Sequence, residues 1–408
     1  MRVACAQLEA VGMDAASGVW PRVESMAERA KAANADLLVY PEVVYPSYWL
    51  ESADRYRHAD IERTPAVIAR FSRQAAAHRI WIVAGIVEED GERLFNTAAV
   101  FDRTGRLVQL VRKQFMWDCD RRWFSAGEES VVINTELGRM GVQICADLRM
   151  PEITATLAAR GAEFVVQPTA WVNASANEGS YANIQPDFLL AARAIEFGLP
   201  FISCSKSGHE ASGMSYVGQS RIVDADGMTK STAGIHRDEL VVAELQPKSP
   251  RPQAISQQLR SRLLDRQSPF GNVPTDRVAE IECRRGTSEV VASLAMQHAR
   301  VVVMPCGALQ CFAAARCAAL DGAQVIVADR GKCDERIARA RAAENRVFVI
   351  AGDDRAIDLV VEPSGGVLRR AADENRKIRL ALGEADRKAF TPTTDIWSQR
   401  RVGSYQLP

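Results

Sequence analysis

Short apolar runs alternate with longer segments whose apolar residues recur at helical spacing, and this alternation is what most constrains the fold. Each helix must bury its apolar stripe on a sheet, so such a chain builds a layered α/β architecture. Residues 2–8 read as a first strand, residues 19–34 as a helix, and residues 35–41 as a buried strand closed by Pro41. A helix at 64–78 precedes a strand at 80–87. Strands at 96–102 and 106–113 flank the turn Thr104-Gly105, and strands at 131–134 and 140–145 flank Gly138. Residues 151–160, 162–167, 186–197 and 200–205 continue as helix, strand, helix and strand. A hairpin around Gly218 and Gly227 closes the unit.

Residues 247–274 break the pattern. They carry Pro247, Pro250, Pro252, Pro269 and Pro274, and read as a linker with a short polar helix over 255–266. The alternation then resumes and partly repeats the first unit. At a single offset of 161 residues, Cys145 faces Cys306, Leu148 faces Leu309, and Gly161-Ala162 faces Gly322-Ala323. Arg193-Ala194-Ile195-Glu196 has its own counterpart in Arg341-Ala342-Ala343-Glu344. Three parts are therefore expected: residues 1–246, the linker 247–274, and a shortened second copy over 275–408.

Charge narrows the function classes. The 51 basic and 51 acidic side chains cancel, which leaves no net field to draw the chain to nucleic acid or an anionic membrane. No apolar run approaches the roughly 20 residues of a membrane span. The start, Met1 to Glu9, lacks the apolar core of a signal peptide. Nine scattered cysteines, with no Cys-x-x-Cys pair and no histidine cluster, predict reduced thiols and a cytoplasmic location, with no metal site. No Rossmann fingerprint, phosphate loop or Gly-x-Ser-x-Gly occurs, so no cofactor is expected.

Three predicted strands each end on one unusual side chain: Val39-Tyr40-Pro41-Glu42, Leu110-Val111-Arg112-Lys113, and Val142-Gln143-Ile144-Cys145. Strand ends are where α/β folds gather polar groups around a ligand crevice. A carboxylate, an ammonium and a thiol meeting there make a nucleophilic site. Taken singly, each residue reads as core packing or surface charge.

In their order these segments, with Cys145-Ala146-Asp147-Leu148-Arg149-Met150-Pro151-Glu152, resemble the three signatures of the nitrilase (carbon–nitrogen hydrolase) superfamily. Phe95-Asn96-Thr97-Ala98, Trp123-Phe124-Ser125-Ala126-Gly127, Pro168-Thr169-Ala170-Trp171 and Gly218-Gln219-Ser220-Arg221 resemble its intervening words, over residues 1 to about 245. The resemblance implies a four-layer αββα sandwich, with Glu42 as general base, Lys113 as stabiliser of the tetrahedral intermediate and Cys145 as nucleophile. Asp120 departs from the family, which places a second glutamate seven residues before the glycine held here by Gly127. Asp118 stands nearby as an alternative.

Cys145-Ala146-Asp147 resembles the amidase and carbamoylase branches rather than the Cys-Trp-Glu of nitrile hydrolases. Ala146 leaves room beside the thiol. Arg149 suits either a substrate carboxylate or a structural ion pair, and Trp171 either lines the pocket or packs in the core. The implied activity is hydrolysis of a small amide or N-carbamoyl compound through a thioester. A nitrile hydrolase, an acyl transferase, and a catalytically impaired binding or scaffold protein are the alternatives.

The tail Phe390-Thr391-Pro392-Thr393-Thr394-Asp395-Ile396-Trp397 resembles the carboxyl end of single-domain members. In the second copy Gly307-Ala308 follow Cys306, and counterparts of Lys113 and Glu42 are missing. That half is expected to be a non-catalytic copy forming an intrachain pseudo-dimer, with further homo-oligomers left open. Substrate identity and pathway are also left open.

Overall fold

The apolar runs of the sequence become strands and the amphipathic segments become helices in the computed structural model. It describes residues 1–174, 182–210, 214–251, 254–265, 276–374, 376–391 and 393–408, which divide into the units Met1–Pro252 and Gln253–Pro408.

The first unit opens with β1 (Arg2–Glu9), α1 (Trp20–Ala32), β2 (Leu37–Val39), α2 (Ala53–His58), α3 (Thr64–His78) and β3 (Trp81–Asp90). It continues with β4 (Arg93–Phe101), β5 (Leu107–Arg112), α4 (Asp120–Trp123), β6 (Val131–Thr135), β7 (Gly138–Val142) and α5 (Pro151–Ala159). It ends with β8 (Phe164–Thr169), α6 (Leu190–Phe197), β9 (Phe201–His209), β10 (Ser215–Val217), β11 (Arg221–Val223), β12 (Thr229–Thr232) and β13 (Glu239–Glu244). Prolines sit in the first turns of α1, α3 and α5, where a missing N–H breaks no helical bond. Gly198, at φ +63°, stops α6 in the left-handed conformation that glycine adopts without strain.

One run of pairings is β5-β4-β3-β2-β1-β13 and the other is β6-β7-β8-β9-β11-β12. Strand β1 links them: Val3–Cys5 pair with β2, and Leu8-Glu9 pair with β9. The parallel strands β2 and β3 lie against β8 and β9, so both sheets bury their inner faces. Helices α1 and α3 cover the first sheet, while α5 and α6 cover the second, giving helix, sheet, sheet, helix. Trp20, Tyr40, Phe71 and Phe101 pack between α1, α3 and the first sheet. Strand β13 carries no period-two pattern of burial and was not read from the sequence; its antiparallel pairing with β1 supplies it.

The second unit holds α7 (Gln257–Leu263), β14 (Val278–Glu282), α8 (Thr287–Met296), β15 (Val301–Pro305) and α9 (Phe312–Leu320). There follow β16 (Val325–Asp329), α10 (Glu335–Asn345), β17 (Phe348–Gly352), β18 (Ile357–Val361), β19 (Val367–Arg370) and β20 (Lys377–Ala381). Its main sheet runs β15-β16-β17-β18-β19, parallel as far as β17, and β14 pairs with β20. In the first unit β7, a cysteine-led 3-10 turn, α5, β8, α6 and β9 succeed one another; β15, Cys306, α9, β16, α10 and β17 follow the same order. The likeness extends to single hydrogen bonds. Arg193 donates to the Leu148 carbonyl at 3.2 Å and pairs with Glu196 at 3.0 Å. Arg341 donates to the Leu309 carbonyl at 2.7 Å and pairs with Glu344 at 2.7 Å.

The described parts of residues 247–274 are tied to their neighbours. Lys248 N donates to Glu163 O and Arg251 N to Phe197 O, while α7 packs on α9. Pro252, Pro269 and Pro274 lie outside the described residues.

Candidate active site

Glu42 follows β2 on a segment pressed against β3. Gly85 N donates to Pro41 O at 3.1 Å, and Val44 N donates to Gly85 O at 2.8 Å. A Cβ on Gly85 would lie 2.5 Å from Glu42 Cα, so only glycine permits this approach. Glu42 N in turn donates to Thr169 O at 3.2 Å, tying the end of β2 to the end of β8 across the two sheets.

Lys113 extends β5 by one residue, its N–H donating to Asn96 O at 2.8 Å. Gly127 N donates to Lys113 O at 2.7 Å, and a Cβ on Gly127 would lie 2.5 Å from Arg112 O. The lysine side chain is fully buried between two carboxylates, 2.7 Å from Glu42 Oε1 and 2.6 Å from Asp120 Oδ2. Asn96 Nδ2 also donates to Glu42 Oε1, at 2.7 Å. Glu42 Oε2 is buried and accepts no hydrogen bond among the described residues. Asp120, on α4, accepts from Trp117 N at 2.8 Å through Oδ2 and from the Tyr48 hydroxyl at 2.9 Å through Oδ1.

Cys145 leads a 3-10 turn, with φ +44° in the left-handed region that a side chain with a Cβ rarely adopts. The Asp147 carboxylate pins this turn: it accepts from Ile144 N at 2.9 Å, Phe115 N at 2.7 Å and Gln114 N at 3.1 Å. It thereby couples the cysteine to the segment just after Lys113. Cys145 as a residue is 6% exposed; its sulfur faces the Thr169 hydroxyl and lies 3.9 Å from Ala170 O and 3.8 Å from Gln185 Nε2. Gln167 Nε2 donates to Cys145 O at 2.8 Å.

Burial sets the electrostatics. It pushes the Cys145 thiol up to about 12; the Glu42 charge adds to this, and Lys113, Thr169 and the Ala170 contact oppose it. Burial also raises the Glu42 carboxyl above its ordinary range, against the pull of Lys113, with Asp120 adding to the rise. For Lys113 burial disfavours the charge, but Asp120, Glu42 and Cys145 outweigh it and hold the ammonium well above its usual value. Asp147 is raised by burial to about 6 despite its N–H donors. The site thus joins a protonated thiol, an open carboxylate oxygen and a fixed cation, the inventory of an acyl-transfer centre.

A family model described as carbon-nitrogen hydrolase matches residues 2–255, more than half of the chain. The chain belongs to the carbon-nitrogen hydrolase family. The omega-amidase of Saccharomyces cerevisiae is 27% identical over 262 residues, spanning 60% of this chain and 87% of that protein. A hydrolase of Pseudomonas protegens is 31% identical over 248 residues, 59% of this chain and 81% of its own. Among solved structures, a variant of the amidase from Nesterenkonia sp. AN1 carries acrylamide added at its active-site cysteine. It matches with a TM-score of 0.53 at 26% identity, covering 60% of this chain and 93% of that one.

In this carbon–nitrogen hydrolase Ala146, Arg149 and Trp171 are buried, while Asp118 is partly exposed. Ala146 sits beside the thiol in the same turn. The Arg149 guanidinium lies 4.0 Å from the centre of the Trp117 ring. Trp171 is fully enclosed, with its backbone N–H donating to Ser205 Oγ at 3.2 Å. It is Asp120 that holds the second carboxylate on Lys113. Asn96, Thr169, Gln185 and Tyr48 join the site without having been assigned to it from sequence. Asn96 had a signal, as a polar residue inside the apolar run of β4, and Thr169 stood in the segment Pro168-Thr169-Ala170-Trp171 of the resemblance; Tyr48 and Gln185 had none. Among the described residues there is no cluster of three or more metal-ligating side chains, and no helix long and apolar enough to cross a membrane.

Proposed function

We propose that this hydrolase cleaves a small amide or N-carbamoyl compound through a thioester on Cys145. The observation that carries the reading is Glu42 Oε2, which accepts no hydrogen bond among the described residues, on a carboxylate whose charge acts on the buried Cys145 thiol while its other oxygen is fixed by Lys113 and Asn96. One face of Glu42 is anchored, leaving the other to move a proton.

In the proposed reaction Glu42 takes the thiol proton as sulfur attacks the carbonyl carbon. Lys113 and the peptide N–H after Cys145 hold the oxyanion. Collapse of the tetrahedral intermediate breaks the C–N bond, and Glu42 returns its proton to the departing nitrogen. Water, deprotonated by Glu42, then attacks the thioester, releasing the acid and restoring the thiol. Ala146, a small residue beside the sulfur, favours an amide with room at the reacting carbon. The amidase names of the relatives support the same substrate class. All nine cysteines are free thiols, which supports a cytoplasmic location.

Intact-mass spectrometry during turnover of an amide and N-carbamoyl panel tests the reading. An acyl adduct on Cys145, with ammonia release abolished by Cys145→Ala, is the expected result. Hydrolysis that survives Cys145→Ala, or no adduct and no product across the panel, would sink it.

A further inference from the structure

We propose that Tyr48 is a positioning residue for Lys113, matched to the aspartate at position 120, and that the buried Lys206–Glu210 pair holds Tyr48 to this task. The inference rests on the reading of the site given above and extends it to residues that no part of that reading uses.

Asp120 reaches Lys113 with one oxygen only, Oδ2. Trp117 N shares that same oxygen at 2.8 Å, and a carboxylate is broadly free about its terminal torsion, so bonds to Oδ2 alone leave its plane loosely set. The Tyr48 hydroxyl, donating to Oδ1 at 2.9 Å, sets that plane from the other side, and the Tyr48 ring centre lies 5.7 Å from Lys113 Nζ. Burial and the neighbouring Asp120 charge push the phenol well above its usual value, so it remains a donor. Aspartate is a methylene shorter than glutamate, and the phenol occupies room that a longer side chain would need.

Tyr48 sits between β2 and α2, outside any ladder, so its backbone needs another anchor. Glu210, at the end of β9, supplies it. Its carboxylate accepts from Tyr48 N at 3.1 Å and from Trp49 N at 2.8 Å. The same carboxylate is held by Lys206 Nζ at 2.5 Å and by the Tyr216 hydroxyl at 2.9 Å. Lys206, Glu210 and Tyr216 are all buried, and the Tyr48 and Tyr216 rings meet edge-on at 6.3 Å. Four donors on one carboxylate make a rigid support. A continuous chain of contacts then runs from Lys206 through Glu210, Tyr48 and Asp120 to Lys113.

Steady-state kinetics on the full chain test this, with melting temperature measured on every variant. Tyr48→Phe keeps the ring and removes one hydrogen bond to a charged group. It is expected to lower kcat about 10-fold while KM stays within about twofold. Asp120→Glu alone is expected to lower kcat as well, because the longer side chain meets the phenol. In the Tyr48→Phe background Asp120→Glu is expected to recover at least about half of the lost activity, a coupling that a merely structural tyrosine would not show. Glu210→Gln is expected to follow Tyr48→Phe in lowering kcat. Unchanged kcat in Tyr48→Phe, or losses that simply add in the double variant, would overturn the inference while wild-type turnover and its loss in Cys145→Ala left the reading of the site standing. An inactive wild type overturns both.

Discussion

At the scale of single residues, burial decides which protons are present. With the Cys145 thiol pushed up to about 12, no thiolate waits in the free enzyme at neutral pH, so the proton must leave as sulfur attacks. Glu42 receives it, and the Glu42 carboxyl is itself held above its ordinary range by burial. A raised pKa means that the proton is retained to higher pH, and the proposed reaction needs the carboxylate. Activity is therefore expected to rise with pH along a limb lying above the usual carboxylate range. The profile of kcat/KM against pH measures this limb; a limb at or below the ordinary glutamate value would contradict the assignment. Glu42→Gln should remove it and lower kcat/KM by about 10²- to 10⁴-fold, the usual share of a general base.

At the scale of elements, two glycines set how closely strand ends approach. Gly85 lets the Pro41–Val43 backbone settle on β3, and Gly127 does the same for Arg112 and Lys113. Gly85→Ala is expected to cost about 1–3 kcal/mol, since the clash is with backbone that cannot swing aside. It should also lower kcat/KM by about 10-fold or more by displacing Glu42. Gly12→Ala, with nothing within 4 Å of the added carbon, is the control for both measurements. Denaturant unfolding of each variant gives the stability term, and equal behaviour of the two would discount the close approach. The buried arginines that follow the cysteine turns make a second element-scale case. Arg341→Ala takes the guanidinium from buried Glu344 and from the Leu309 carbonyl, and is expected to destabilise by about 3–5 kcal/mol.

At the scale of the whole chain, we propose that residues 275–408 form a non-catalytic copy of the first unit. The shared order of elements and the matched Arg193 and Arg341 contacts support this. Cys306 lacks the positive φ of Cys145 and faces Cys333 and Asp329 rather than a lysine and a glutamate. Cys306→Ser is accordingly expected to leave amide turnover within about twofold; a loss matching that of Cys145→Ala would refute the idea.

How far the sequence reads depends on whether information is local. Apolar period marks which face of a segment is buried, so α3 and the parallel strands β2, β3, β8 and β9 were legible from side chains alone. Glu42, Lys113 and Cys145 stood out as candidates only through the resemblance of their motifs, since a period says nothing about which strand end meets which. Of their partners, Asp120 was named from sequence and Asn96 and Thr169 stood in motif segments, but which group each one meets was not legible. Tyr48, Thr169 and Gln185 lie far along the chain from the groups they face, and their contacts exist only once β2, β8 and the Cys145 turn converge. The left-handed φ of Cys145 belongs to the same class, because the Asp147 carboxylate holds that turn through N–H groups of the segment after Lys113. Composition and period set which segments are buried; the crossing of two sheets set which buried groups touch.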